Sequence, residues 1–136
     1  MPLERPWPKP WPRIPPSPTT RPERSFFTYQ AMSTTHLSAA TVSTAANVYF
    51  DGKCVSHALT MADGSKKSVG VVLASSLVFG TAAPETMECV AGSCEYRLPG
   101  STEWHTSSAG QKFSVPGNTR FEIRVAEAYH YICHYE

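Results

Sequence analysis

The sequence predicts an all-β domain of about 90 residues behind a proline-rich N-terminal extension. From Val48 onward, apolar and polar residues alternate with a period of two, and turn residues interrupt the alternation every 8–15 positions. No stretch shows the 3.6-residue period of an amphipathic helix. Composition divides at the same place, because nine of the twelve prolines lie in residues 2–22 and all eight glycines lie at or after Gly52. Short strands at this spacing are typical of a β-barrel or β-sandwich.

The extension, residues 1–45, is predicted to be disordered and is rich in proline, serine and threonine. Over residues 1–24 alternate prolines prevent helix and ladder hydrogen bonds, which leaves polyproline II or disorder. The extension holds five Lys/Arg and two Asp/Glu, whereas residues 46–136 hold seven and nine. The net charge of +1 is therefore +3 on the extension and −2 on the body. Such a body lacks the basic face of nucleic-acid-binding proteins, so we expect no nucleic-acid partner. Its length excludes a Rossmann or TIM-barrel enzyme.

Two hypotheses stay open for the extension. Trp7 and Trp11, followed by Pro-Pro-Ser-Pro at 15–18, suit a proline-binding groove on a partner. The alternative is a dispensable extension, with Met32 as a candidate for the true start. No apolar run follows a charged start and no 18 apolar residues are consecutive, so we expect neither a secretory signal nor a membrane partner. We expect a cytoplasmic protein with four reduced thiols.

Turn residues divide the first half of the body. Asp51-Gly52 predicts a turn or bulge within a strand region over 48–60, and Asp63-Gly64-Ser65 predicts the turn that follows it. Residues 68–79 are predicted as the next strand, because Val69, Val71 and Leu73 alternate with small residues.

The second half begins with a predicted hairpin. Residues 87–90 and 94–98 flank Ala91-Gly92, a two-residue loop that would place Cys89 and Cys94 across from each other. Cross-strand neighbours lie slightly too far apart for an unstrained disulfide, so free thiols are expected.

Three further segments complete the predicted barrel. Residues 112–115 precede the turn cluster Pro116-Gly117-Asn118. Apolar residues at 121, 123 and 125 alternate with Glu122 and Arg124, which predicts a half-buried strand. Residues 129–135 alternate aromatic residues and cysteine with His130, Ile132 and His134.

Two spacings in the body resemble the two cupin motifs. Glu85 and Gly92 have six residues between them, as in the first motif, and Gly110 and Pro116 have five, as in the second. In a small barrel these spacings bring the two motif strands side by side.

The metal ligands of the cupin motifs are missing. A metal cupin has two histidines before the motif glutamate and a third after the second motif, where this chain has Phe79, Thr81 and Phe121. Phenylalanine cannot bind a metal ion, so we expect no metal site. His130 and His134 do not replace it, because on a strand they would lie about 13 Å apart.

A closer resemblance covers residues 47–136 in order and without large gaps. The chain resembles the cupin-type pyrimidine/purine nucleoside phosphorylases in the segments Tyr49-Phe50-Asp51-Gly52-Lys53, Ser68-Val69-Gly70-Val71, Thr81-Ala82-Ala83-Pro84-Glu85-Thr86-Met87, Val90-Ala91-Gly92, Leu98-Pro99, Trp104, Gly110-Gln111-Lys112-Phe113-Ser114-Val115-Pro116-Gly117 and Tyr131-Ile132-Cys133-His134-Tyr135.

The resemblance implies a small single-domain cupin-like barrel (a double-stranded β-helix or jelly roll) over residues 46–136. It also implies phosphate-dependent cleavage of purine and pyrimidine nucleosides to free base and pentose 1-phosphate. A homodimer with no metal or cofactor is implied too, with phosphate as co-substrate. The extension has no counterpart in the family.

Three residues are the catalytic candidates. Thr81 and Glu85 occupy positions equivalent to cupin ligands, so we expect them to point into the barrel. Glu85 can orient ribose hydroxyls or stabilise a cationic sugar; the alternative is a turn carboxylate after Pro84. His134 is a candidate donor to phosphate or to the leaving base, although the family pattern has arginine there. Strand alternation puts His134 opposite Tyr131, and which face lies inside the barrel stays open.

Five residues are the substrate-binding candidates. Phe79, Phe121 and Tyr131 can stack on a base, with core filling as the alternative. Lys66, close before Ser68, is a candidate for phosphate, with an exposed turn lysine as the alternative.

Two other functions stay open. The missing metal ligands and the absence of a strong acid/base pair also fit a non-catalytic cupin that binds a small ligand. Alternatively, the body is a scaffold whose basic extension recruits a partner.

Overall fold

The computed structural model describes residues 34–136, and within them every regular element except one short 3-10 turn is a β-strand. The strands run β1 Ala40–Val42, β2 Asn47–Tyr49, β3 Cys54–Met61, β4 Lys66–Val72, β5 Ser75–Thr81, β6 Glu85–Ala91, β7 Ser93–Arg97, β8 His105–Ser108, β9 Lys112–Val115, β10 Thr119–Val125 and β11 Tyr129–Tyr135. The all-β prediction is confirmed. Among these residues no helix is long and apolar enough to cross a bilayer.

The larger sheet has seven strands in the order β1-β3-β4-β11-β6-β9, with β2 also paired to β3. The smaller sheet has the order β5-β10-β7-β8. All the recorded strand pairs are antiparallel. Side chains from both sheets share one core, including Val72, Cys89 and Tyr129 from the larger sheet and Phe121 and Ile123 from the smaller one.

Several predicted features are confirmed. The 3-10 turn Phe50–Gly52 links β2 to β3, and a backbone hydrogen bond from Gly64 N to Met61 O closes the turn between β3 and β4. In β10 the predicted apolar face is buried and Glu122 and Arg124 point outward. These two residues make cross-strand ion pairs, with Arg97 and Glu95 respectively.

The prediction of one strand over 68–79 is wrong. The chain leaves the larger sheet after Val72 and enters the smaller sheet at Ser75. The buried face changes parity at this corner, since Ser68 and Val72 are buried in β4 whereas Leu77 and Phe79 pack on the core from β5. Apolar residues occupy both faces of β4, so the alternation continues in sequence while the chain changes sheet.

The predicted hairpin at Ala91-Gly92 is also wrong. Strand β6 pairs with β9 and β11, whereas β7 pairs with β8 and β10 in the other sheet. Gly92 forms the crossing with a φ of +78°, and a Cβ there would lie 2.2 Å from the Ala128 carbonyl oxygen. Only glycine fits this corner. All four cysteines are free thiols, as expected, and all four are buried.

Part of the predicted extension belongs to the barrel. Residues 40–42 form β1, which pairs with β3 in the register Ala40↔Met61, and Ser43 N donates to Ala58 O. The prediction of disorder through residue 45 is therefore wrong for this strand. The hypotheses on Trp7, Trp11 and Met32 fall outside the described residues.

Candidate active site

A cavity of about 240 Å³ lies inside the barrel and is lined from both sheets. Six of its lining residues are aromatic: Tyr49, Phe50, Phe79, Phe121, Tyr131 and Tyr135. The only carboxylate in the described wall belongs to Glu85, and no Lys, Arg or His of the described residues lines it. The cavity is therefore an aromatic chamber whose wall also carries hydroxyl groups and one acidic group.

Phenylalanine rings form one side of the chamber. Phe79 and Phe121 are direct cross-strand partners and stack at 5.6 Å between ring centroids, with 22° between their planes. Phe50 meets Phe79 edge-on at 5.3 Å. Phe79 and Phe121 both line the chamber, but Phe121 is only 2% exposed and has little free surface.

Glu85 begins β6 directly after Pro84, where the family motif places it. Its cross-strand neighbours are Val115 and Tyr135, and Cys133 Sγ donates a hydrogen bond to Glu85 Oε1 at 3.4 Å. Burial raises the pKa of the Glu85 carboxyl, and the thiol hydrogen bond partly offsets the rise. A carboxylate that is half-desolvated in this way interacts strongly with any positive charge that develops beside it.

Tyr131 reaches the cavity because the residue opposite it is glycine. Its cross-strand partner is Gly70, where a Cβ would lie 2.8 Å from the tyrosine hydroxyl oxygen. The hydroxyl also contacts Cys54 Sγ at 3.5 Å. Burial raises the pKa of the Tyr131 phenol, so the group keeps its proton and can donate it in a hydrogen bond.

Ser68 does not line the chamber itself but contacts Tyr135, which does. Its hydroxyl is 3.0 Å from the Tyr135 hydroxyl, and Tyr135 lines the cavity while Ser68 lies beneath it. The structure thus brings Glu85, Tyr131 and Tyr135 together around one space, with Ser68 supporting the last of them.

Thr81 is not brought to the cavity. Its Oγ1 donates to Pro116 O at 2.7 Å and accepts from Thr119 N at 3.2 Å. The hydroxyl ties the end of β5 to the turn before β10, and it does not line the chamber.

His134 lies on the outer face of the larger sheet. Strand alternation in the sequence had left open whether the His134 face or the Tyr131 face lies inside the barrel. Lys67 Nζ donates to His134 Nδ1 at 2.9 Å, so Nε2 holds the ring proton and donates to Glu88 Oε1 at 2.8 Å. Thr34 Oγ1 donates to the other oxygen of Glu88 at 2.5 Å. Burial pushes the pKa of Glu88 up, but these hydrogen bonds outweigh it and the pKa is lowered. His134 therefore does not line the chamber, where a donor to phosphate or to the leaving base would have to lie.

Lys66 is also outside the chamber. Lys66 is exposed, which agrees with the alternative prediction of an exposed turn lysine. Its Nζ donates to Thr60 Oγ1 at 3.3 Å. Among residues 34–136 no three His, Cys, Asp or Glu side chains converge as they would around a metal ion. The rings of Phe79 and Phe121 occupy positions where a metal cupin has histidines, so the chamber does not fit a metal.

Seven wall residues were not predicted as site residues: Tyr49, Phe50, Ser56, Gly80, Met87, Cys133 and Tyr135. Cys133 was noted in the sequence only as one of four thiols, and a serine such as Ser56 gives no signal in a single sequence. Phe50 stood in a segment that resembles the family, but nothing in its sequence context indicated a role.

A larger concavity of about 580 Å³ lies on the outer face of the larger sheet. It is open and mostly apolar, with wall residues that include Val69, Val71 and Ile132, and its described wall holds no carboxylate. The inner chamber, with Glu85 among aromatic rings, is therefore the candidate active site.

Comparison with known proteins identifies the family. A family model described as pyrimidine/purine nucleoside phosphorylase matches residues 44–135. The chain belongs to the pyrimidine/purine nucleoside phosphorylase family. Two relatives of that name, from Albidiferax ferrireducens and Delftia acidovorans, are 65% and 67% identical over 104 residues. The match covers 76% of this chain and 99% of each relative.

Solved structures place the same unit in the cupin-like fold. A protein of unknown function from Acinetobacter sp. ADP1 is 43% identical with a TM-score of 0.73, over 74% of this chain and 98% of that chain. The Clostridium difficile EutQ protein is 12% identical with a TM-score of 0.51, over 60% of this chain and 67% of that chain, and shows the fold alone. The prediction of a cupin-like barrel is confirmed for this phosphorylase-family chain.

Proposed function

We propose that the chain is a nucleoside phosphorylase, a pentosyltransferase that uses phosphate to cleave purine and pyrimidine nucleosides inside the barrel. The observation that carries the proposal is the half-buried Glu85 carboxyl in an aromatic chamber of a chain that belongs to this family. Small aromatic substrates suit such a chamber, because every nucleobase presents a flat π face.

The reaction exchanges one bond at the anomeric carbon. The bond from C1′ to the base nitrogen breaks, and a bond from C1′ to a phosphate oxygen forms. The electron pair of the broken bond leaves with the base, and the proton of hydrogen phosphate ends on the base nitrogen. The products are the neutral base and pentose 1-phosphate, so atoms and charge balance.

Glu85 supports this exchange electrostatically. The sugar passes through an oxocarbenium-like state, and a carboxylate in a low-dielectric wall stabilises positive charge far better than one in water. The Cys133 thiol orients the carboxylate by donating to Oε1. Tyr131 keeps its proton and supplies a hydrogen-bond donor to the departing base. Positioning and electrostatics suffice for this chemistry, so the proposal includes no metal or other cofactor.

The decisive experiment is base release from inosine and from uridine by the full chain, with and without phosphate. We expect release that requires phosphate, and a loss of about 10²- to 10³-fold in kcat for Glu85→Gln. Thr86→Ser is the matched control, because Thr86 is the next residue on β6 and hydrogen-bonds Ser114 on the outer face. If no common nucleoside gives phosphate-dependent release, the proposed activity is wrong.

A second function is favoured by one observation. Phosphate-binding sites usually contain lysine or arginine, and none of the described residues of either type lines the chamber. A non-catalytic cupin that binds nucleosides would show saturable thermal stabilisation by a nucleoside without turnover, whereas the phosphorylase shows both.

The cellular setting and assembly are part of the proposal. Four free cysteines suit the reducing cytoplasm. A homodimer is supported by the apolar outer concavity, at which Val42 is half-exposed. Analytical ultracentrifugation should give a dimer for the wild type and a weaker one for Val42→Glu.

A further inference from the structure

The turn at the mouth of the chamber has an unusual backbone. Phe50, Asp51 and Gly52 have φ angles of +53°, +54° and +91° in succession. Positive φ is normal for glycine but is a genuine outlier for a bulky residue such as phenylalanine.

Neighbouring backbone fixes this conformation. Lys53 N donates to Phe50 O at 3.0 Å, Leu73 N donates to Lys53 O at 2.8 Å, and Tyr49 pairs with Cys54 in the ladder between β2 and β3. Backbone outliers held by their surroundings concentrate at ligand clamps and active sites. The turn thus holds the Phe50 ring in the wall of the chamber, edge-on to Phe79.

The Phe50 ring also has free surface, unlike the rings deeper in the chamber. Phe50 is 41% exposed and Tyr49 is 46% exposed, whereas Phe121 is 2% and Tyr131 is 7% exposed. A ring can stack on a ligand only if part of it is uncovered, so the rings at the mouth are better placed than Phe121.

The size of the chamber points the same way. Its volume of about 240 Å³ is below the roughly 300–1,000 Å³ typical of ligand pockets. A nucleoside together with phosphate therefore extends from the chamber into its mouth, where Phe50 and Tyr49 stand.

We infer that Phe50 stacks on the nucleobase at the chamber mouth and sets the tolerance for different bases. The inference rests on the proposed function, since it takes the bound ligand to be a nucleoside. A ring that reads only the π face accepts purines and pyrimidines alike and binds the larger purine face more tightly.

The test compares Phe50→Ala and Phe50→Tyr with wild type in the full chain. Loss of one base-stacking ring costs about 5- to 140-fold in affinity. We expect Phe50→Ala to raise KM for inosine by that factor and for uridine by less, with kcat and the phosphate KM close to wild type, and Phe50→Tyr to restore the wild-type KM. Val48→Ala is the matched control, because Val48 is 63% exposed on the adjoining strand and does not line the chamber.

A binding measurement separates this inference from the proposed function. Calorimetry with inosine and no phosphate gives Kd without turnover, and a weaker Kd for Phe50→Ala supports the stacking role even if the wild type proves inactive. An unchanged inosine Kd and KM in a folded Phe50→Ala variant overturns it. If that variant does not fold, Phe50→Asn removes the ring while suiting a positive φ, and the same two outcomes apply.

Discussion

Gly70→Ala is the sharpest test of the chamber's construction. The added Cβ would lie 2.6 Å from Val55 O, 2.8 Å from Ser56 Cβ and 2.8 Å from the Tyr131 hydroxyl oxygen. Two of these atoms belong to the neighbouring strand β3, whose position is fixed by its ladder with β4. The methyl group therefore fits only if the sheet or the Tyr131 ring moves.

The size of the effect follows from overpacking. Extra methyl groups in a packed interior cost about 1–3 kcal/mol, and 1 kcal/mol lowers Tm by roughly 4–8 °C in a domain of this size. We expect the Tm of Gly70→Ala to fall by about 5–20 °C. Thermal unfolding followed by circular dichroism measures this, at one protein concentration so that assembly does not alter Tm.

Gly80→Ala provides the matched control on β5. The nearest atom to a Cβ at Gly80 is Thr119 O at 3.9 Å, and its backbone does not have positive φ. Alanine is therefore accommodated there, and by restricting the unfolded chain it should leave stability unchanged or raise it by up to about 1 kcal/mol. If Gly70→Ala proves as stable as Gly80→Ala, the account of Tyr131 resting on Gly70 is wrong.

Three further predictions concern charge and surface packing. Because burial raises the pKa of Glu85, kcat should fall as the pH drops through a value above the pKa of an ordinary glutamate. Cys133→Ala removes the hydrogen bond that lowers this pKa, so the fall in kcat should move to higher pH. A pH–rate profile measures both. Because hydrogen bonds lower the pKa of Glu88, the stability it contributes is present above the unfolded pKa and lost as pH falls through the folded one. Glu88→Gln should therefore lose stability at pH 7 but not at pH 2, as Tm measurements at the two values will show. Trp104→Ala should cost about 1 kcal/mol in urea unfolding, since the Arg124 guanidinium lies 3.8 Å from the Trp104 ring centroid.

Each of these has an outcome that contradicts it. An acidic limb at the same pH in wild type and Cys133→Ala would show that the thiol does not act on Glu85. Equal losses for Glu88→Gln at both pH values would mean that packing, not charge, is affected. Wild-type stability of Trp104→Ala would mean that the cation–π contact contributes nothing measurable.

The upward shift of the Glu85 pKa also predicts a conflict between stability and activity. Its folded pKa is raised, so the stability it contributes is present below the unfolded pKa and is lost as pH rises through the folded pKa. At neutral pH the ionised carboxylate therefore weakens the fold, and the less active Glu85→Gln variant should have a higher Tm than the wild type.

The sequence predicts the buried face of a strand only where polar residues occupy one face and apolar residues the other. In β10, polar Glu122 and Arg124 alternate with buried Phe121 and Ile123, and the prediction is confirmed. In β4, Ser68 and Gly70 are small or polar because the Tyr135 and Tyr131 side chains lie against them, while Val69 and Val71 line the outer concavity. The usual rule that apolar residues face inward therefore does not predict which face of such a strand points into the barrel.

The corners between sheets were beyond local sequence signals. Ala91-Gly92 has the composition of a hairpin loop, but whether β6 and β7 pair is decided by β11, which is distant in sequence and occupies the place beside β6. The candidate site was predicted only in part for the same reason, because its contacts join strands that are distant in sequence. Glu85 was placed by its motif position, whereas the face of Tyr131 stayed open and the Cys133 contact with Glu85 depends on a register across 48 residues.

The position of β11 has a consequence for how the barrel is made. This last strand, Tyr129–Tyr135, lies in the middle of the larger sheet between β4 and β6. Until it is added, those two strands have unpaired edges and the chamber lacks Tyr131, Cys133 and Tyr135. During synthesis the barrel cannot close before the ribosome has released β11, and pairings over such sequence separations form slowly, in milliseconds to seconds. The nascent chain must pass through that interval with its two half-built sheet edges exposed.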